Sequence, residues 1–183
     1  MPKVSEAHRE ERRRQILDGA RRAFAEHGYE GATVDVLEAE IGLSRGAIFN
    51  YFPSKLELFV ALAEHDQLQL AELWLREGFE GVVQELGNDP GWVGPYLDVP
   101  RMLRTDEGLR SRWFALNPEL ETKIVDGFRD LQGAGKLRAD LPAETLVRFF
   151  SVVFDGLAVQ QGARFGIDVD GTLELIRSAV APK

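Results

Sequence analysis

The sequence predicts an all-α protein in two parts. Apolar residues recur at three- and four-residue spacing, with no alternating strand pattern anywhere in the chain. Caps and stop signals punctuate those runs. The stretch GLSRGAIFNYFPSK, residues 42–55, compresses a tight turn, a very short helix and the cap of the next helix into one segment. Residues 1–55 are assigned to a compact helical unit and residues 56–183 to a second helical domain. There is no internal repeat and no low-complexity segment.

Residues 10–27 read as one amphipathic helix, in which Ile16, Leu17, Ala20, Ala23 and Phe24 form a single apolar stripe. Gly28 ends it and residues 29–31 connect. Thr33 is placed to cap a second helix, with Val34, Leu37 and Ile41 on one face. Gly42 and Leu43 turn the chain, and Ser44 caps the helix that follows. Pro53 stops that helix, because the residue before a proline is pushed out of the α region. Ser54 then caps a fourth helix, with Glu57 three residues on completing a capping box. A short helix between two caps, carrying Arg45, Asn50 and Tyr51 beside Phe49 and Phe52, suits a rod that enters a DNA groove while its back packs on a core.

The fourth helix is expected to run from Ser54 to about Leu75 or beyond, as a link to the second domain. Gly78, Gly81 and Gly87 then interrupt, and the Gly- and Pro-rich residues 88–95 form a loop. Residues 96–104 make a short helix weakened by Pro100. New starts are expected at Thr105-Asp106-Glu107 and at Asn117-Pro118-Glu119, where a cap precedes a proline at the first helical position. That last helix closes at Gly133 and Gly135. Pro142 opens a helix with an unusually wide apolar surface (Leu146, Phe149, Phe150, Val153, Phe154, Leu157, Ala158), ending near Phe165 and Gly166. Asp170 or Thr172 begins the final helix, with Leu173, Leu175, Ile176, Ala179 and Val180. These two helices carry more apolar surface than one small core needs, which suggests an intermolecular interface.

The chain resembles the TetR family of bacterial transcriptional regulators. The resemblance rests on Phe24, Gly28, Thr33, Ile41-Gly42-Leu43-Ser44, Phe49, Tyr51-Phe52, Lys55 and Leu58-Phe59. It covers residues 10–60 strongly and the remainder only as a helical pattern of suitable length. Phe49 stands where many members have a tyrosine, so a phosphate contact through that hydroxyl is absent. The resemblance implies Thr33, Tyr51 and Lys55 as contacts to the DNA backbone, and Ser44, Arg45 and Asn50 as groove-facing residues. It implies a homodimer through the two C-terminal helices and a pseudo-palindromic, double-stranded operator. It also implies a small-molecule ligand, with Trp74, Trp113 and Phe128 on the helices that enclose its cavity and Met102 and Leu103 as adaptable apolar wall; each of these aromatics fits a plain core role as well. The function implied is a repressor released from its operator by that ligand, with a hinge near residues 72–78.

Charge permits this reading without carrying it. The net charge is −8, yet residues 1–55 hold nine basic and nine acidic residues. The acid excess lies wholly in residues 56–183. Lys3, Arg9, Arg12, Arg13 and Arg14 cluster at the start of the first helix, where a solvated helix start and a phosphate contact are equally open. Arg45 either pairs with guanine and Asn50 with adenine, or each holds a phosphate, which positions without specifying. Lys55 sits at a helix N-terminus, whose dipole already favours phosphate. Arg101 and Arg104 beside Asp98 form either a surface ion pair or an anion site.

No enzyme, cofactor or metal is expected. The chain has no cysteine and three histidines, and neither an activated serine nor a phosphate-cradling glycine loop appears. Glu64-His65-Asp66 lacks a further ligand at the next helical turn, where Gln69 stands. The N-terminus has no apolar h-region and no run is long enough for a membrane span, so a cytoplasmic protein is expected. Two other classes fit parts of the pattern: a helical small-molecule carrier or enzyme that has lost DNA binding, and a ligand-independent DNA-binding regulator. The basic tail and intact reading helix argue against the carrier.

Overall fold

The computed structural model describes residues 6–88, 93–115, 118–163, 165–166 and 168–183, without the side chains of residues 88, 112, 114, 115 and 118–120. The described residues are helical, in the order α1 Glu6–Gly31, α2 Val34–Ile41, α3 Arg45–Phe49, α4 Lys55–Asn88, α5 Val93–Thr105, α6 Glu107–Ala115, α7 Pro118–Gly133, α8 Ala143–Gly162 and α9 Val169–Val180. They group into two compact units, Met1–Asp66 with Gly91–Met102, and Gln67–Pro90 with Leu103–Lys183.

In the first unit the α1 stripe is buried as its spacing predicts, with Ile16, Ala20, Ala23 and Phe24 sealed beside Leu37 of α2, Ile48 of α3 and Leu58 of α4. The larger of these side chains, Ile16, Phe24, Leu37, Ile48 and Leu58, each contribute roughly 1.5–3 kcal/mol. α1 extends N-terminal of its apolar stripe to Glu6, the first described residue, and polar pairs one turn apart support its exposed part: Arg14 with Glu11 at 2.6 Å and Arg12 with Gln15 at 2.8 Å. Gly28 breaks α1 with φ 66 and ψ 174, a glycine conformation, and one more turn follows to Gly31. Gly19 serves closeness instead: a Cβ there would lie 2.6 Å from Ile41 Cα, so α1 meets the end of α2 backbone to backbone.

α5 begins at Val93 and takes in Gly94 and Pro95, which the sequence assigns to a loop. Proline is tolerated in a first turn, where its missing N–H has no helical partner. Pro100 also lies inside α5. Residues 89–92, including Trp92, and the expected cap at Asn117 lie outside the described residues.

In the second unit, Gly78 interrupts α4 with φ 71 and ψ −171, whereas Gly81 and Gly87 lie within the helix. Burial of Val82, Val83 and Leu86 along the same turns outweighs the cost of about 1 kcal/mol per helical glycine. α6 starts as expected, with Asp106 Oδ1 accepting from the Leu109 N–H at 2.8 Å. α8 stops at Gly162, before Gly166, because the Ala163 N–H closes the last turn onto Val159 O at 2.9 Å. α9 starts at Val169 rather than at Asp170 or Thr172. Its cap is Asp168, whose carboxylate accepts from the Gly171 N–H at 2.9 Å.

Rings dominate this unit's core. Trp74 stacks on Phe128 with centroids 4.4 Å apart, Phe128 meets Phe150 at 5.4 Å, and Phe79 meets Phe150 at 4.8 Å. Leu146, Ile176 and Val180 close around them. One corner is polar. The Arg138 backbone N–H donates to Val180 O at 2.8 Å and its Nη1 to Ala179 O at 2.9 Å. The same guanidinium grips Asp140 and holds its carboxyl down to about 2. On the outer faces of α8 and α9, Val152 is 64% exposed, Val159 52% and Leu175 73%. Among the described residues no helix is long and apolar enough to cross a membrane.

Candidate nucleic-acid interface

The interface is built on α2, the turn after it and α3. Thr33 caps α2 through its Oγ1, which accepts from the Val36 N–H at 3.4 Å. Gly42 ends α2 in the left-handed region, φ 74, and its N–H returns to Glu38 O at 2.9 Å. A side chain is disfavoured there, which fixes the glycine in the turn. Ser44 caps α3, its Oγ accepting from the Ala47 N–H at 3.4 Å. Ser54 caps α4 from the Glu57 N–H at 3.1 Å. In these caps the hydroxyl acts as acceptor, so its proton is left for an outside partner.

α3 has a buried and an open side. Ile48 is fully buried. Ser44, Arg45, Gly46 and Asn50 are exposed, and Phe49 and Tyr51 are half-buried. The Arg45 guanidinium lies over the Phe49 ring at 5.9 Å. Asn50 closes α3 with its N–H on Gly46 O at 3.1 Å, so its side-chain amide projects from a fixed backbone with both donor and acceptor. Phe49 thus supports an arginine at the position where a tyrosine hydroxyl is common.

Side chains that the sequence pattern does not mark hold this arrangement. Glu38 Oε1 accepts from the Arg45 N–H at 2.6 Å, tying α2 to the start of α3. Gln15 Nε2 donates to Ile41 O at 3.2 Å and Arg22 Nη2 to Glu40 O at 2.7 Å, so α1 satisfies the open carbonyls of α2. These are contacts between helices, and only their polarity is visible in sequence. Asp98 is another: its carboxylate accepts from the Tyr29 N–H at 2.8 Å, beside the Gly28 break. Arg101 reaches Glu30 at 3.4 Å.

Lys55 stands at the start of α4, with Nζ donating to Tyr29 O at 2.7 Å and Glu30 O at 3.4 Å, and 4.5 Å from the Tyr29 ring centroid. Burial, then the charge of Glu30, pushes the Tyr29 phenol above its ordinary value. The ring is therefore a neutral face for the cation. Asp66, considered above with Glu64 and His65, pairs with Arg21. No group of three or more metal-ligating side chains lies together among the described residues.

The candidate ligand residues divide. Trp74 and Phe128 meet face to face, and Phe128 is 1% exposed within the core. Leu103 and the half-buried Trp113 belong to the same unit, whereas Met102 falls in the first.

Residues 16–62 match the family model described as bacterial regulatory proteins, tetR family. The chain is 44% identical over 160 residues to the HTH-type transcriptional repressor Rv1474c of Mycobacterium tuberculosis, covering 86% of each chain. It is 37% identical over 184 residues to the HTH-type transcriptional repressor AcnR of Corynebacterium diphtheriae, covering 98% of this chain and 97% of that one. In structure it is similar to Salmonella enterica GusR, with a TM-score of 0.72 at 19% identity over 96% of this chain and 97% of the other. With residues 16–62 matching the family model, and with 44% identity over 86% of the chain to one HTH-type repressor and 37% over 98% to another, the chain belongs to the TetR family of bacterial regulatory proteins.

Proposed function

We propose that this chain is a cytoplasmic transcriptional repressor that binds a pseudo-palindromic operator as a homodimer and is released by a small-molecule ligand. The observation that carries the reading is α3: Ile48 sealed behind it, Arg45 and Asn50 open in front of it, and a serine cap fixing its start. Residues 1–55 are the DNA-binding part and residues 56–183 the ligand-binding and dimerising part. Ser44, Arg45 and Asn50 face the major groove. Thr33, Tyr51 and Lys55 contact the sugar–phosphate backbone, Lys55 with the donor its two carbonyl bonds leave over. The exposed apolar faces of α8 and α9 meet their equivalents in a second copy. Trp74, Met102, Leu103, Trp113 and Phe128 serve the ligand, and the break at Gly78 is the hinge that lets α4 change course. Release is then a two-state equilibrium, limited by the ligand's differential affinity for the two states.

The test is selection of bound fragments from random DNA by the purified protein. An enriched inverted repeat is expected, with Arg45→Ala and Asn50→Ala each losing about 1–3 kcal/mol at one base position. No enrichment at low salt overturns the proposal. Operator affinity unchanged by every small molecule that binds the protein overturns the release step alone.

A further inference from the structure

The arginines of the first unit differ in what they hold. Arg14 pairs with Glu11, Arg21 with Asp66, Arg22 with Glu40 and Arg101 with Glu30, while Arg12 donates to Gln15. Arg9 and Arg12 hold no carboxylate among the described residues, and Arg13 and Arg45 are set apart from them by a ring. Among the described residues neither holds a carboxylate, and each guanidinium rests on a ring of the α3 segment: Arg45 over Phe49 at 5.9 Å, Arg13 over Phe52 at 5.4 Å. Phe52 is 4% exposed, and its N–H donates to Ile48 O at 3.2 Å, so its ring is fixed to the inner side of α3. Two residues beyond Arg13, Gln15 anchors the same stretch of α1 to Ile41 O at 3.2 Å. Arg13 is thus seated by helix and ring. A guanidinium lying on an aromatic face keeps its N–H donors in its own plane, directed past the ring edge.

We infer that Arg13 is a phosphate-contacting guanidinium of the DNA-reading unit, delivered by α1 from outside the helix-turn-helix and additional to the contacts of Thr33, Tyr51 and Lys55. The inference rests on the reading of α3 as the DNA-reading helix. Residues 1–55 are net neutral and several of their arginines are spent on carboxylates, so phosphate contact falls to few charges. Lys55 already serves two carbonyls. A planar cation that is already seated loses little freedom when a phosphate arrives, and it presents the paired donors that phosphate oxygens match.

The experiment titrates wild type, Arg13→Leu, Arg13→Gln and Arg13→Lys on the selected operator and on a random duplex, across a salt series, with thermal unfolding in parallel. Arg13→Leu keeps an apolar stem on Phe52. Roughly ten-fold weaker binding to both duplexes is expected. The slope of log affinity against log salt should become shallower by about 0.9 for each subunit bound. Arg13→Gln should do the same, which covers a leucine variant that folds poorly, and Arg13→Lys should keep the slope. An unchanged slope in both neutral variants overturns the inference and leaves α3 standing. So does a loss confined to one base position. Wild type that enriches no DNA overturns both.

Discussion

The two units are held together by different forces. In the first, side chains of one helix bind the backbone of another: Gln15 and Arg22 on the end of α2, Glu38 on the start of α3, Lys55 and Asp98 at the Gly28 break. Hydrogen bonds are directional, so this network fixes one geometry. In the second, Trp74, Phe79, Phe128 and Phe150 pack ring on ring; side-chain bonds to backbone gather at the Arg138 corner, and the exposed pairs Arg177–Glu80 and Arg129–Glu144 link helices at the surface. Rings supply burial with little direction. Under the proposed function, the unit that presents α3 is the one pinned by polar groups, and the unit that would accommodate a ligand is the one filled with apolar ones.

That contrast can be broken by mutation. The largest effect belongs to Phe128→Ala, expected to lose about 3–5 kcal/mol in urea unfolding; a loss below about 1 kcal/mol would mean the stacked rings do not hold the second unit. Next is Gly19→Ala. Its Cβ would stand 2.6 Å from Ile41 Cα, so α2 must shift and α3 with it. A loss of about 1–3 kcal/mol is expected, with operator binding falling further than stability does. Unchanged affinity would show that α3 tolerates displacement. Ser44→Ala should cost about 1 kcal/mol, and a mobility shift should show weaker binding to every sequence, since the cap fixes the start of α3.

The smallest effect is one of pH. The Asp140 carboxyl sits at about 2 against an ordinary 3.8, held there first by its hydrogen bonds from Arg138. A depressed carboxylate adds stability that is present above its unfolded value and vanishes as pH falls through its folded one. Acid unfolding between about pH 4 and pH 2 should therefore be less steep in Asp140→Asn. Identical acid profiles would remove the Arg138–Asp140 pair from any account of that corner.

Local signals were legible in the sequence, and contacts between distant residues were not. Thr33, Ser44 and Ser54 cap helices because a hydroxyl binds an amide three residues on, a relation contained in the sequence itself. Gly42 is legible for the same reason. Gly81 and Gly87 misled, because whether a glycine ends a helix depends on what its neighbours bury. Asp98 beside Arg101 and Arg104 reads as an ion pair or an anion site; that its carboxylate also accepts from the Tyr29 N–H, far away in the chain, is not visible in sequence. The aromatic character of the second unit was visible, whereas the pairing of Trp74 with Phe128 required the fold.

The ion pairs of the first unit have a consequence for how the protein shares a genome. Arg14, Arg21 and Arg22 are each matched by a carboxylate, so those charges no longer favour DNA of arbitrary sequence. Grip that is independent of sequence is what millions of competing sites offer equally. In the proposed reading, a protein that neutralises its own arginines gives up affinity everywhere and keeps it where Arg45 and Asn50 would find their bases. Its ratio of correct to incorrect binding is set by the charges it withholds as much as by the contacts it makes.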